Sequence, residues 1–192
     1  MQPFFPVGLN LIGRTCVVIG ARDDREAIEK EATLREAGAE VTRITEPTLL
    51  RDADVENAFF VISTPQNAEL SARLRALADT HGFLLCCIDQ PQYGFVAMAA
   101  IAKAGPVRVA ISTTGQAPAV GKRIKESMQR AMDERFARFV EAVAARKRRA
   151  AEEHPGEAGF ATRRKMNIAV AEGFDAKISF KYPDWFNDES RS

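Results

Sequence analysis

Three residues able to do chemistry stand just past short apolar runs: Glu46 after EVTRI, Thr64 after AFFVIS and Asp89 after FLLCCI. Gly20 closes a fourth such run, TCVVI, and opens the segment GARDDREA. A carboxylate at the end of a buried strand can accept a proton, and partial burial there would suit Asp89 to that task. The plainer reading of Asp89 is a residue opening the turn before Pro91. A glycine at a strand-to-helix turn lets a pyrophosphate approach the helix N-terminus, whose N–H groups favour negative charge. The dinucleotide fingerprint also wants a second glycine for close backbone approach, and Arg22 or its neighbours stand in that region instead. Arg22 or Arg25 can pair with phosphate; Asp23 and Asp24 repel it unless turned outward, and one of them can simply cap the helix. Glu46, followed by Pro47, is placed to accept hydrogen bonds from ribose hydroxyls, which favours NAD over NADP. A solvated loop glutamate is the alternative. Gly20, Arg22, Asp23, Asp24, Glu46, Pro47 and Thr64 are the candidate cofactor-binding set.

These positions depend on a repeating strand–helix pattern. Thr15 to Ile19 predicts a strand, and a helix follows with Ala27, Ala32, Leu34 and Ala37 on its apolar face and Gly38 as its stop. Glu40 to Ile44 alternates as a second strand. Ala58 to Ser63 predicts a third, followed by a helix holding Leu70, Leu74, Leu77 and Ala78. Phe83 to Ile88 makes a fourth. Nearly continuous apolar strands belong to a sheet covered on both faces, and right-handed crossovers make it parallel. The expected fold is α/β, a Rossmann-like parallel sheet whose ligand site lies at the carboxyl ends of its strands.

With 192 residues, 46% hydrophobic and 28% charged, the chain can bury a full core and is not a solvated tail. Its 27 basic and 26 acidic side chains nearly cancel, so net charge gives no reason to expect a nucleic-acid partner. No apolar run nears the roughly 20 residues that span a bilayer, and the first residues lack a secretory pattern, so no membrane association and a cytoplasmic location are expected. Cys16, Cys86 and Cys87 cannot all pair, and their apolar settings predict buried free thiols. His81 and His154 lie in no ligand spacing, which predicts no bound structural metal.

Beyond the fourth strand, Val107 to Ile111 (VRVAI) predicts another strand, leading into STTGQAP. The order of FFPVGLNLIGRTCVVIG, EAGAEVT, LLCCIDQPQYGF and VRVAISTTGQAPAVGKRIKESM resembles the precorrin-2 dehydrogenase and sirohydrochlorin ferrochelatase family, as in the N-terminal part of siroheme synthase. The resemblance is strongest from Phe83 to Met128, where Asp89, Gly115 and Pro118 match family landmarks in order. It implies an NAD-binding Rossmann-like domain at 1–97, a dimerisation segment at 98–129 and a helical C-terminal region at 130–192. It also implies a homodimer that oxidises precorrin-2 to sirohydrochlorin, with Asp89 as the catalytic proton acceptor and Thr113 and Gly115 as substrate contacts. Some members also insert ferrous iron. The family's GGG stands here as GARDDREA and its AATDD as STPQN, with Thr64 kept. These changes predict weakened NAD binding, with Arg22 as the obstruction, and leave a noncatalytic tetrapyrrole-binding or assembly protein as the alternative function.

The remaining sequence predicts helices. Phe136, Phe139, Val140 and Val143 fall at helical spacing opposite the basic run Arg146, Lys147, Arg148 and Arg149. That run is either a solvated face or a patch that steers a polycarboxylate substrate. His154 to Gly159 interrupts the helix, a second follows around Phe160 to Val170, and FDAKISFKYPDWF is expected to add a short strand and an aromatic anchor.

Overall fold

The structure is a computed structural model and describes residues 4–183. These residues form two compact units, one of 4–102 with 109–127 and one of 103–108 with 128–183.

The first unit is built on strands β1 (Thr15–Ile19), β2 (Glu40–Ile44), β3 (Phe60–Ser63) and β4 (Leu84–Cys87). They lie side by side in the order β2-β1-β3-β4, all parallel, with Val17 opposite Thr42 and Val61, and Val61 opposite Leu85. The expected parallel sheet is therefore present. Side chains alternate across it. Val17, Ile19, Val61, Leu85 and Cys87 meet Leu74 and Ala78 of α2 (Ala68–His81) on one face. Cys16, Val18, Phe60, Ile62 and Cys86 meet Ala27 and Leu34 of α1 (Arg25–Glu36) on the other. Fully burying a Val, Ile or Leu side chain contributes about 1.5–3 kcal/mol, so these two layers dominate the unit's stability.

Local signals set the helix ends. Asp24 caps α1 and Asn67 caps α2, accepting from Leu70 N at 3.0 Å. Gly82, at φ +79°, ends α2 in the left-handed conformation that a side chain would resist. The apolar face of α1 is narrower than the sequence suggests: Ala32 and Ala37 are exposed, and only Ala27 and Leu34 are buried. Alanines sit on either face of a helix at little cost, so they mark a core face poorly.

A two-stranded sheet follows, β5 (Ala100–Ala104) paired with β6 (Val107–Ile111) around a turn at Gly105 and Pro106. The strand β6 matches expectation; β5 is unforeseen, because an alanine-rich run is a weak strand former. Helices α3 (Pro118–Ala131), α4 (Glu134–Glu153) and α5 (Phe160–Ala169) complete the described residues. Asp133 caps α4 by accepting from Phe136 N at 2.9 Å. The expected terminal strand is absent from 174–183, which lacks regular structure; the rest of that segment lies outside the described residues. Its aromatic anchor is real in part: Phe174 stacks on Phe139 at 5.0 Å between ring centroids and tilts against Phe136 at 6.0 Å. Ring packing satisfies Phe174 without the partner strand that a ladder would need.

Candidate functional site

The carboxyl ends of the sheet strands carry the residues singled out by sequence. At the end of β1, Gly20 N donates to Ile44 O at 3.0 Å; beyond β3, Thr64 N donates to Ile19 O at 3.0 Å. The parallel ladder thus continues one residue past the strands and brings Gly20 beside Thr64. A Cβ on Gly20 would lie 2.6 Å from Ala27 Cβ and 2.9 Å from Asp24 Oδ2, and would collide with the Thr64 hydroxyl. Glycine is required there because helix and strand ends close tightly over it.

Asp24 fills the end of α1. Its Oδ1 accepts from the backbone N–H of Glu26 at 2.9 Å and of Ala27 at 3.3 Å, while its Oδ2 accepts a short hydrogen bond from Thr64 Oγ1. The Thr64 hydroxyl first, then the two backbone N–H groups and the nearby charge of Arg43, hold the Asp24 carboxyl below its ordinary range against the opposing effect of burial. Arg43, from β2, reaches the loop with Nη2 donating to Ala21 O at 2.5 Å and Nη1 paired with Glu31 at 3.3 Å. Sequence reasoning missed Arg43; its signal was a cation one residue before the end of the second strand.

Arg22 and Asp23 are exposed. Asp24 rather than Arg22 stands at the helix end. Glu46 is exposed after β2, and Pro47 opens a short 3-10 turn, Pro47–Leu49. A nicotinamide dinucleotide would place its ribose near Glu46 and its pyrophosphate at the α1 N-terminus. Glu46 fits that role. The α1 end does not fit as arranged, since its backbone donors already hold a carboxylate and a phosphate would meet like charge.

Asp89 follows β4 within a turn closed by Gln90 N donating to Cys87 O at 3.2 Å. Its φ of +58° is left-handed, a conformation aspartate tolerates better than most residues. The side chain is exposed, not half-buried as expected, because this turn lifts it clear of the sheet. Gln66 Nε2 donates to Asp89 Oδ2 at 3.1 Å, joining the loops after β3 and β4. Gln66 was hidden in STPQN, where only Thr64 matched an expected pattern. The carboxylate can accept a proton from a ligand on its open side while Gln66 orients it.

Thr113 and Gly115 lie before α3. The Thr113 carbonyl accepts from Gln116 N at 3.0 Å and its Oγ1 from Ala117 N at 3.4 Å, so Thr113 closes the turn that leads into this helix. Thr114 and Gly115 have φ of +50° and +78°. Cys16, Cys86 and Cys87 are free and buried, as the apolar runs imply. Among the described residues, no group of three or more His, Cys, Asp or Glu side chains is arranged to hold a metal ion, and no helix is long and apolar enough to cross a membrane.

Comparison with known proteins agrees with this architecture. Residues 7–100 match a family described as putative NAD(P)-binding. A siroheme synthase of Hahella chejuensis is 26% identical over 157 residues, covering 72% of this chain and 33% of that protein. A precorrin-2 dehydrogenase of Methanosarcina barkeri is 28% identical over 148 residues, covering 66% of this chain and 65% of its own length. One from Bacillus subtilis is 32% identical over 99 residues, covering 51% and 60%. The chain thus spans about a third of the siroheme synthases it matches. Among solved structures, a precorrin-2 dehydrogenase, SirC, shares the fold with a TM-score of 0.66 at 18% identity, over 88% of this chain and 90% of that one.

Proposed function

We propose that this chain is a member of the siroheme synthase and precorrin-2 dehydrogenase family and that it oxidises precorrin-2 to sirohydrochlorin, with NAD as the hydride acceptor. The observation that carries the reading is Asp89: a solvent-facing carboxylate on a left-handed turn at the carboxyl end of a parallel strand, oriented by Gln66. Dehydrogenation of a reduced tetrapyrrole removes a hydride equivalent and a proton, and Asp89 is the group placed to take the proton. Thr113 and Gly115 contribute the loop that contacts the macrocycle. Glu46 favours NAD over NADP because its charge opposes a 2′-phosphate.

The reading divides the chain into a cofactor domain at 1–97, a dimerisation segment at 98–129 and a helical region at 130–192. Support for a homodimer comes from β5 and β6, an isolated two-stranded sheet of a kind that is marginally stable alone and offers open edges to a second copy. Light scattering at micromolar concentration should give twice the chain mass. Three buried free thiols accord with a reducing, cytoplasmic setting. In this reading ferrous iron is a substrate and not a resident cofactor, with Asp89 again the proton acceptor as the macrocycle is metallated.

A second reading, a noncatalytic tetrapyrrole-binding or assembly protein, is favoured by one observation: Asp24 holds the donors a cofactor phosphate would need. Anaerobic incubation with precorrin-2 and NAD separates the two. The enzyme reading requires the absorbance of sirohydrochlorin to grow with NADH; tetrapyrrole binding without turnover selects the scaffold.

A further inference from the structure

We propose that Asp24 is an internal stand-in for the cofactor's phosphate, and that a dinucleotide reaches the α1 N-terminus only by displacing it. This inference rests on the NAD-dependent reading and names the residue that controls its binding step.

The donors around Asp24 are of the kind that hold phosphate. Two consecutive backbone N–H groups of the first helical turn and one threonine hydroxyl converge on a single anionic group. A cation is at hand in Arg43, which braces the same loop through Ala21 O and whose Nε is buried without a partner. The glycine that close approach demands is kept at Gly20, yet the space over it is taken by Thr64, Ala27 and Asp24 itself. The anion cradle is therefore intact and filled from within the chain. A ligand phosphate must break the Asp24 hydrogen bonds and then sit beside the displaced carboxylate, so both desolvation and like charge oppose it.

The arrangement gives Asp24 two separable effects, charge and volume. Asp24→Asn removes the charge and keeps a side chain that caps a helix; Asp24→Ser also caps but vacates space. Calorimetric titration of the whole chain with NAD, NADP and inorganic pyrophosphate should show D24S binding NAD about tenfold or more tighter than the parent, with a smaller gain for D24N. Thermal melts identify a variant that has not folded, and D24N then carries the test. Equal or weaker binding by the folded variants, or no binding by any of the three proteins, overturns the proposal. If D24S gains NAD affinity and still oxidises no precorrin-2, the displaced stand-in holds and the dehydrogenase reading falls. If the parent oxidises precorrin-2 and binds NAD as tightly as D24S, the reverse is true.

Discussion

Ser71 Oγ donates to Gln90 Oε1 at 2.5 Å, tying the first turn of α2 to the turn that carries Asp89. Ser71 is fully buried, and its hydroxyl also contacts the Cys87 thiol one residue inside the sheet. The left-handed turn at Asp89 is thus held from below by Ser71 and from the side by Gln66.

Ser71→Ala removes that anchor while leaving the helix face apolar. The expected cost is about 1 kcal/mol, read as a fall in Tm of roughly 2–4 °C for a chain of this size. Precorrin-2 turnover should fall further than stability alone predicts, because the proton acceptor loses its orientation. A drop in Tm with unchanged turnover would separate Ser71 from the function of Asp89.

Asp89→Asn keeps the size of the side chain and its tolerance of the left-handed turn, so the melting curve should match the parent. The amide cannot act as a base. Turnover should fall by about 10²-fold or more, the usual scale for general base catalysis, with NAD binding unchanged. An Asn variant with parental turnover removes Asp89 from the mechanism.

Much of the fold was legible because the burial pattern is simple. The runs TCVVI, FVIS and LLCC sit in a sheet covered on both sides, so the sequence shows them as unbroken apolar blocks between helices with good caps. The β5 strand was not legible, since Ala100, Ala102 and Ala104 carry no strand preference and gain it only from pairing with β6. In the site, the sequence placed Gly20, Thr64 and Asp89 at strand ends but could not tell which aspartate caps α1. That choice depends on the Thr64 hydroxyl, 40 residues away in the chain. Gln66 and Gln90 were silent for the same reason: an amide acquires meaning only from the partner that the fold brings to it.

Gly20→Ala places a methyl group 2.6 Å from Ala27 Cβ and 2.9 Å from Asp24 Oδ2. Neither the first turn of α1 nor the β1 end can yield without breaking ladder or cap hydrogen bonds. Overpacking of this kind costs about 1–3 kcal/mol, and urea unfolding should show a lower midpoint with an unchanged slope. A midpoint equal to that of the parent would mean that the loop is not closed over Gly20.

Burial pushes the Cys86 thiol up to about 12, with the neighbouring Cys87 adding to the effect and Lys30 opposing it. Since the thiolate is the reactive form, Cys86 should resist alkylation near pH 8 in the folded protein and react promptly in urea. The sign of the linkage also follows: the raised value keeps Cys86 neutral in the fold, while the unfolded chain ionises above about 8.5. Its contribution to stability is complete below that range and is lost as pH rises toward 12. Cys86→Ser should therefore show less alkaline destabilisation than the parent, and mass spectrometry after brief alkylation should find Cys86 unmodified in the native sample.

Asp24 carries the opposite sign. Hydrogen bonding to Thr64 holds its carboxyl below the ordinary value, so folding favours the ionised form. That contribution is present above the unfolded range, near 3.9, and is lost as pH falls through the lower folded value. Asn caps a helix about as well as Asp but does not titrate, so D24N serves as the reference. Urea unfolding between pH 7 and pH 3 should show the parent's advantage over D24N constant down to about pH 4 and shrinking below it. A bound dinucleotide should erase part of that pH dependence, because it takes the donors that hold the carboxylate ionised. If the gap between parent and D24N stays flat to pH 3, the Thr64 and backbone donors do not hold Asp24 in solution, and the α1 N-terminus is open to an anion after all.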